Sequence, residues 1–238
     1  MKQPTQVFRI ALTLLALTVG CLTAQPTSAA VRASGPDFGG VWSSAGCEPY
    51  PGGPFARREI VIEAGRFSQV ITAFADGGCS MPKLRMRVEG RFVFRGISPI
   101  IPSPGVYDVE LRWEQVFIRA EHTNQAEFLN THRPGLCAGN WSVGVEQDLA
   151  GTNGCRKLGI DLRRPIVEYD ITGRVGDVIY LGARPSDGGL LTSAVRRPIS
   201  FGAPLNKTNE VLEPSFAPAP VVSASPLLPA TGAKKARP

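Results

Sequence analysis

The 238-residue sequence has few of the residues that carry metal or acid–base chemistry. Its two histidines, His122 and His132, are ten residues apart and match no metal-binding helix pattern. It has no C-x-x-C pair, no phosphate-binding glycine loop and no Gly-x-Ser-x-Gly elbow. Glu146 and Asp148 share one face of a predicted strand, but such carboxylates usually face solvent. We therefore expect a protein without enzymatic activity, metal or cofactor.

Long apolar runs are also missing. Beyond the first thirty residues no run reaches 18 residues, and no 12-residue stretch has a helical apolar stripe. The first thirty residues instead have the parts of a secretory signal: basic Lys2 and Arg9, an apolar segment from Ile10 to Leu22, and small residues before Ala30. The apolar segment is shorter than the roughly 20 residues that span a bilayer. Residues 1–30 are therefore predicted to be a signal peptide, followed by a linker at 31–37.

A second interpretation of the signal concerns Cys21. The segment Leu17 to Cys21 is an acceptable lipobox, in which the cysteine becomes the lipidated first residue of a bacterial lipoprotein. Lipidation of Cys21 is the one membrane contact that we expect. Under either interpretation the protein is extracytoplasmic: periplasmic or secreted, or anchored by a lipid.

The remaining cysteines agree with export. Cys47, Cys79, Cys137 and Cys155 are even in number and allow three pairings. Cys47–Cys79 and Cys137–Cys155 are favoured because each pair lies within one half of the domain. Zinc is disfavoured because no histidine lies close by.

The charge argues against nucleic acid as a partner. The signal carries two of the basic residues, and the segment from 206 carries four basic against two acidic residues, so the domain keeps about +2 of the chain's +6. Basic and acidic residues also alternate, as they do from Arg85 to Glu89, which is typical of a solvated face.

The body of the chain reads as β-structure. Leu84, Met86 and Val88 alternate with charged residues, a period of two that puts the apolar set on one sheet face. A bend is expected at Gly90, a helical turn at 125–131, and a further strand from Trp141 to Val145. Seven to nine such strands suit a closed barrel or a sandwich. Residues 38–205 form this domain, and 206–238 are predicted to be a disordered tail rich in proline and alanine.

Several motifs resemble the domain of the adenomatosis polyposis coli down-regulated protein 1 family. They occur in order over residues 38–205: Gly40-Val-Trp42, Cys47-Glu48, Gly53-Pro54-Phe55, Cys79-Ser-Met-Pro82, 141–149, 152–155, 181–188 and 197–201. Animal members have two such domains and a membrane anchor, and they antagonise Wnt signalling. This chain resembles a single-domain, bacterial-type member.

The resemblance implies a calycin- or lipocalin-like antiparallel barrel that binds a lipid or another hydrophobic small molecule. The alternative is an extracellular protein-interaction domain, as in the Wnt-antagonist relatives. Candidate ligand-lining residues are the inward apolar positions of the predicted strands: Phe74, Met86, Phe92, Phe94, Val109, Leu111, Trp113 and Val143. The same side chains could instead fill a solid core.

Overall fold

The computed structural model describes residues 36–51, 53–131, 137 and 140–209. The predicted signal peptide, Cys21, most of the linker, His132 and the tail beyond 209 lie outside these residues. The strands are β1 (Gly40–Ser44), β2 (Glu48–Pro49), β3 (Phe55–Glu63), β4 (Arg66–Phe74), β5 (Pro82–Ile97), β6 (Val106–Ala120), β7 (Glu146–Asp148), β8 (Gly154–Cys155), β9 (Ile160–Asp161), β10 (Val167–Val175), β11 (Val178–Gly182) and β12 (Phe201–Thr208). The helix α1 is Thr123–Thr131, and 3-10 helices cover Ala150–Thr152, Arg156–Leu158 and Ala194–Arg196.

Eight antiparallel strands close into a barrel. The order runs β1-β12-β11-β10-β6-β5-β4-β3, and β3 returns to β1. Trp42 on β1 therefore lies opposite Lys207 on one side and Ile60 on the other. β2 extends the edge of β3, β7 pairs with β6, and β8 and β9 form a separate two-stranded sheet. The all-β antiparallel barrel predicted from the sequence is confirmed.

The strand register separates an inward from an outward face. On β5, Met86 lies opposite Ile118 and Val88 opposite Val116, and these side chains pack with the core around Trp42. The intervening Arg87 and Glu89 project outward, but they are buried, at 7% and 5% exposure, so the solvated face expected at 85–89 is wrong for these two residues. The alternation read from the sequence at 84–89 is thus confirmed, because one barrel face is buried and the period of a strand is two.

The bend expected at Gly90 is a β-bulge. Glu89 lies opposite Gln115 and Gly90 opposite Trp113, so Glu114 is the extra residue on β6. A bulge sharpens the local twist of two long strands, which helps the sheet to close.

Three segments differ from the sequence-based predictions. Helix α1 has nine residues rather than a single turn. No strand covers Trp141 to Val145; Val143 makes only an isolated bridge to Ala120. Asn130 instead holds Trp141 through both amide atoms, at 2.8 and 2.9 Å, and Gly144 turns the chain with a φ of +76°. β12 runs through Thr208, so residues 206–208 belong to the sheet.

The cysteines pair as favoured. Cys47 joins Cys79 and Cys137 joins Cys155, with Cα–Cα distances of 5.5 and 4.3 Å. Disulfides persist in oxidising compartments, so the two bonds indicate an extracytoplasmic environment.

Among the residues that the structure describes, no helix is long and apolar enough to span a membrane.

Candidate functional site

The centre of the barrel is packed solid. The inward side chains of Trp42, Phe67, Val109 and Leu111 have no exposed surface. A void large enough for a water molecule would leave exposed surface on the side chains that line it. The middle layers of the barrel therefore leave no room for a ligand beside these four residues.

The predicted lining residues fall into three groups. Met86, Phe92, Phe94, Val109, Leu111 and Trp113 share the inward face, since each lies in register with another inward residue. Phe74 lies opposite Phe55 on the outward face of β4. Val143 lies outside the barrel strands and is about half exposed. The structure thus brings six of the eight to one face and separates Phe74 and Val143 from them.

One end of the barrel carries an aromatic cluster. This end, here called the hairpin end, is formed by the turn at 64–65, the loop at 98–105 and the turn at 176–177. The ring of Phe38 lies 5.9 Å from that of Phe92 and 6.1 Å from that of Tyr107, and Tyr107 lies 5.1 Å from Phe94. Four aromatic rings therefore close the barrel interior at this end.

Exposed apolar side chains continue the cluster outward. Ile97 lies opposite Tyr107 in the β5–β6 register, so both leave the sheet on its inward side, yet Ile97 is 70% exposed. Phe94 and Ile100 are 38% and 40% exposed. We call Phe94, Ile97 and Ile100 the apolar rim. Contiguous exposed apolar side chains are typical of binding surfaces.

Sequence reasoning missed part of this cluster. Phe38, Ile97, Ile100 and Tyr107 were not among the predicted lining residues. The sequence did contain a signal for the rim. Ile97 and Ile100 lie on either side of Ser98 and Pro99, where β5 ends and polar residues are usual.

Two cations border the aromatic cluster at the hairpin end. Trp42 donates its indole N–H to the Phe38 carbonyl at 2.9 Å, which joins it to the cluster. The Lys207 ammonium lies 5.5 Å and the Arg174 guanidinium carbon 5.2 Å from the Trp42 ring. Arg174 also donates to the carbonyl oxygens of Asp37 and Gly176. Lys207 is exposed, so its positive charge is accessible beside the aromatic cluster.

A buried polar network lies toward the other end of the barrel. Glu168 and Arg184 form a two-armed ion pair, and Glu168 has no exposed surface. Asp170 accepts from the amides of Ile171 and Gly182 at 2.8 and 2.9 Å through one oxygen. The other Asp170 oxygen is buried without a hydrogen-bond partner. Burial raises the pKa of Asp170, and the charge of Arg184 offsets this only in part.

The raised pKa of Asp170 predicts a pH dependence of stability. The folded chain holds this proton to higher pH than the unfolded chain, so the free energy of unfolding falls as pH rises above the ordinary value of 3.8. Asp170→Asn removes that loss, because it cannot ionise. Urea unfolding from about pH 4 to about pH 8 should give a flatter stability profile for the variant.

Asp187→Asn is the control for this prediction. The Gly189 amide, followed by Arg196, lowers the pKa of Asp187, so its contribution is lost only as pH falls below 3.8. The control should keep the wild-type slope above about pH 4. Parallel profiles for wild type and Asp170→Asn would contradict the assignment.

The residues screened for catalysis have structural partners. Glu146 accepts from Arg87 at 2.6 Å, and Arg87 also pairs with Glu89 and stacks on Phe117 at 3.8 Å. The His122 ring accepts from the Asn124 amide at 3.2 Å at the start of α1. Within the described part of the chain, no cluster of three or more His, Cys, Asp or Glu could hold a metal.

No family model matches this chain.

Proposed function

We propose that the protein is an exported, non-enzymatic binding module that holds the acyl chain of a fatty acid at the apolar rim of the hairpin end. The observation that carries the proposal is the continuity of exposed Phe94 and Ile97 with the buried aromatic cluster through Tyr107, with exposed Ile100 in the adjoining loop. Export through the predicted signal peptide is part of the proposal, and the two disulfides support it.

The chemistry of the hairpin end suits an amphiphile. Each methylene group that the rim removes from water contributes about 0.8 kcal/mol. Lys207, which borders the same cluster through Trp42, suits an anionic head group, whereas Arg174 beside it already faces the carboxylates of Asp37 and Asp177. The packed centre of the barrel supports a ligand position at the end rather than deep inside.

A substitution at the rim tests this proposal. Ile97→Glu puts a carboxylate into the apolar rim, and the fold should tolerate it because the side chain is 70% exposed. We expect the wild type to bind saturated fatty acids more tightly as the chain lengthens, and the variant to lose at least about tenfold in affinity, since one buried charge opposes several methylene contacts. Native mass spectrometry and thermal shift would measure both.

The matched control is Ile199→Glu. Ile199 is 79% exposed and precedes β12, at the opposite end of the barrel. The control should bind as the wild type does. Equal losses in both variants, or a wild type that binds no fatty acid of any length, would refute the assignment of the rim.

A protein partner is the second candidate, and the filled barrel centre favours it. A solid core with an exposed apolar patch is the arrangement expected of a scaffold that presents a surface. If this candidate is correct, a purified Wnt-type protein binds the wild type and Ile199→Glu but not Ile97→Glu in a direct binding assay, whereas fatty acids bind none of them.

A further inference from the structure

A second concave surface lies away from the rim, near the start of β10. This cleft has a volume of about 890 Å³ and is walled by two loops, 159–166 and 190–196. Its lining includes Arg163, Arg164 and Arg196 together with Ile166 and Leu190. We call it the arginine cleft. Its volume is within the range of small-molecule sites.

The 190–196 wall is fastened to β10. The Tyr169 amide donates to the Leu191 carbonyl at 2.8 Å, and the Leu191 amide donates to Glu168 at 3.5 Å. Leu191 is fully buried, and Glu168 is held by Arg184. The buried ion pair therefore positions the wall that carries Leu190 and Arg196.

The 159–166 wall is fastened at both ends. Asp161 pairs with Gly154 in the β8–β9 sheet, and β8 carries Cys155 of the second disulfide. The Leu162 amide donates to the Asn153 carbonyl at 3.0 Å, and the Ile166 carbonyl accepts from the Trp113 amide at 3.0 Å. Because both walls are anchored, a ligand would bind here without first ordering the loops, which lowers the free-energy cost of binding.

Two of the three arginines that line the cleft have acidic partners. Arg163 is paired with Asp161, and Arg196 is paired with Asp187 at 2.9 Å. Arg164 is exposed and has no side-chain partner among the described residues. Arg164 would therefore match one anionic group of a ligand.

We propose that the arginine cleft binds a small organic acid with one anionic group. The acid group pairs with the free guanidinium of Arg164, whose planar fork matches a carboxylate, phosphate or sulfonate. The apolar body of the ligand covers Leu190, which is partly exposed, beside the buried Ile166. This inference does not depend on the apolar rim, because the two surfaces share no residue.

Two fluorescent probes with the same aromatic body test the charge requirement. 1-Anilinonaphthalene-8-sulfonate is a monoanion, and N-phenyl-1-naphthylamine is its neutral counterpart. We expect Arg164→Gln to weaken binding of the anionic probe about tenfold, the usual scale for one charge-assisted contact, and to leave the neutral probe unchanged. Thr192→Glu, at an exposed cleft position, should abolish binding of the anion at this site.

Lys83→Gln is the control, since it removes one exposed positive charge outside the cleft. It should bind both probes as the wild type does. To exclude the rim, each measurement is repeated in the Ile97→Glu background, where the Arg164→Gln effect should persist. Equal weakening by Lys83→Gln and Arg164→Gln, an Arg164→Gln variant with unchanged anion affinity, or equal loss of the neutral probe would overturn the proposal.

Discussion

Glu168→Ala is expected to lower the free energy of unfolding by about 3–5 kcal/mol, because it leaves a buried cation without its counterion. Glu168 contacts Arg184 through both carboxylate oxygens and has no exposed surface. Burial alone would lower the pKa of Arg184, but the charges of Glu168, Tyr50 and Asp170 and the hydrogen bond to Glu168 together raise it. A guanidinium is too basic to be deprotonated in a protein, so the arginine stays charged in the variant and loses its strongest stabilising contact.

Equilibrium urea unfolding measures this effect, and Glu114→Ala provides the control. Glu114 pairs with Arg91 and Arg66, but this cluster is exposed to solvent. Exposed pairs of this kind contribute about 0–1 kcal/mol, so the control should stay close to the wild type. Similar losses in the two variants would show that the Glu168–Arg184 pair is not effectively buried.

A double replacement separates loss of the pair from loss of packing. Glu168→Leu combined with Arg184→Met removes both charges and keeps apolar volume, so it should recover much of the lost stability. The 190–196 loop should nevertheless stay more mobile than in the wild type, because the Leu191 amide loses its acceptor on Glu168. Faster hydrogen exchange at Leu191 would report that loosening.

The sequence predicted those parts of the fold that depend on residues close to one another along the chain. Alternation at Leu84, Met86 and Val88 is enough to give a strand with one buried face, and Gly90 marks the bend because a glycine inside a strand often marks a bulge. The disulfide pairing also followed from short separations. These features depend on neighbours along the chain, so periodicity and spacing reveal them.

Periodicity and spacing along the chain could not predict how the barrel closes or where the apolar rim and the arginine cleft form. The barrel closes because Trp42 pairs with Ile60 and Lys207, partners far apart in the sequence. The arginine cleft joins Arg164 to Leu190 through loops that no periodicity relates. The strand predicted at 141–145 was wrong. The apolar residues there alternate as in a strand, but the hydrogen bonds of Asn130 with the Trp141 backbone determine the path of this segment.

The close approach of β5 and β6 at Gly90 predicts a second large loss of stability, for the substitution Gly90→Ala. A β-carbon placed on Gly90 would overlap the backbone carbonyl oxygen of Arg112 and lie 3.1 Å from the Phe67 ring. Backbone atoms of a paired strand cannot move aside as the end of a flexible side chain can. Gly90→Ala should therefore force β5 and β6 apart at the bulge and cost roughly 3 kcal/mol, the upper part of the usual overpacking range.

Gly46→Ala is the matched control, because a β-carbon there meets nothing within 4 Å. It should change the free energy of unfolding by less than about 0.5 kcal/mol. Gly90→Ala should also loosen the packing of the two aromatic residues opposite Gly90, Phe67 and Trp113. Near-ultraviolet circular dichroism would report the change in aromatic packing, and acrylamide quenching would report greater exposure of Trp113. A Gly90→Ala variant as stable as Gly46→Ala would mean that the bulge relaxes around a methyl group. In that case the register shift at Gly90, and not its lack of a side chain, is what closes the barrel at this point.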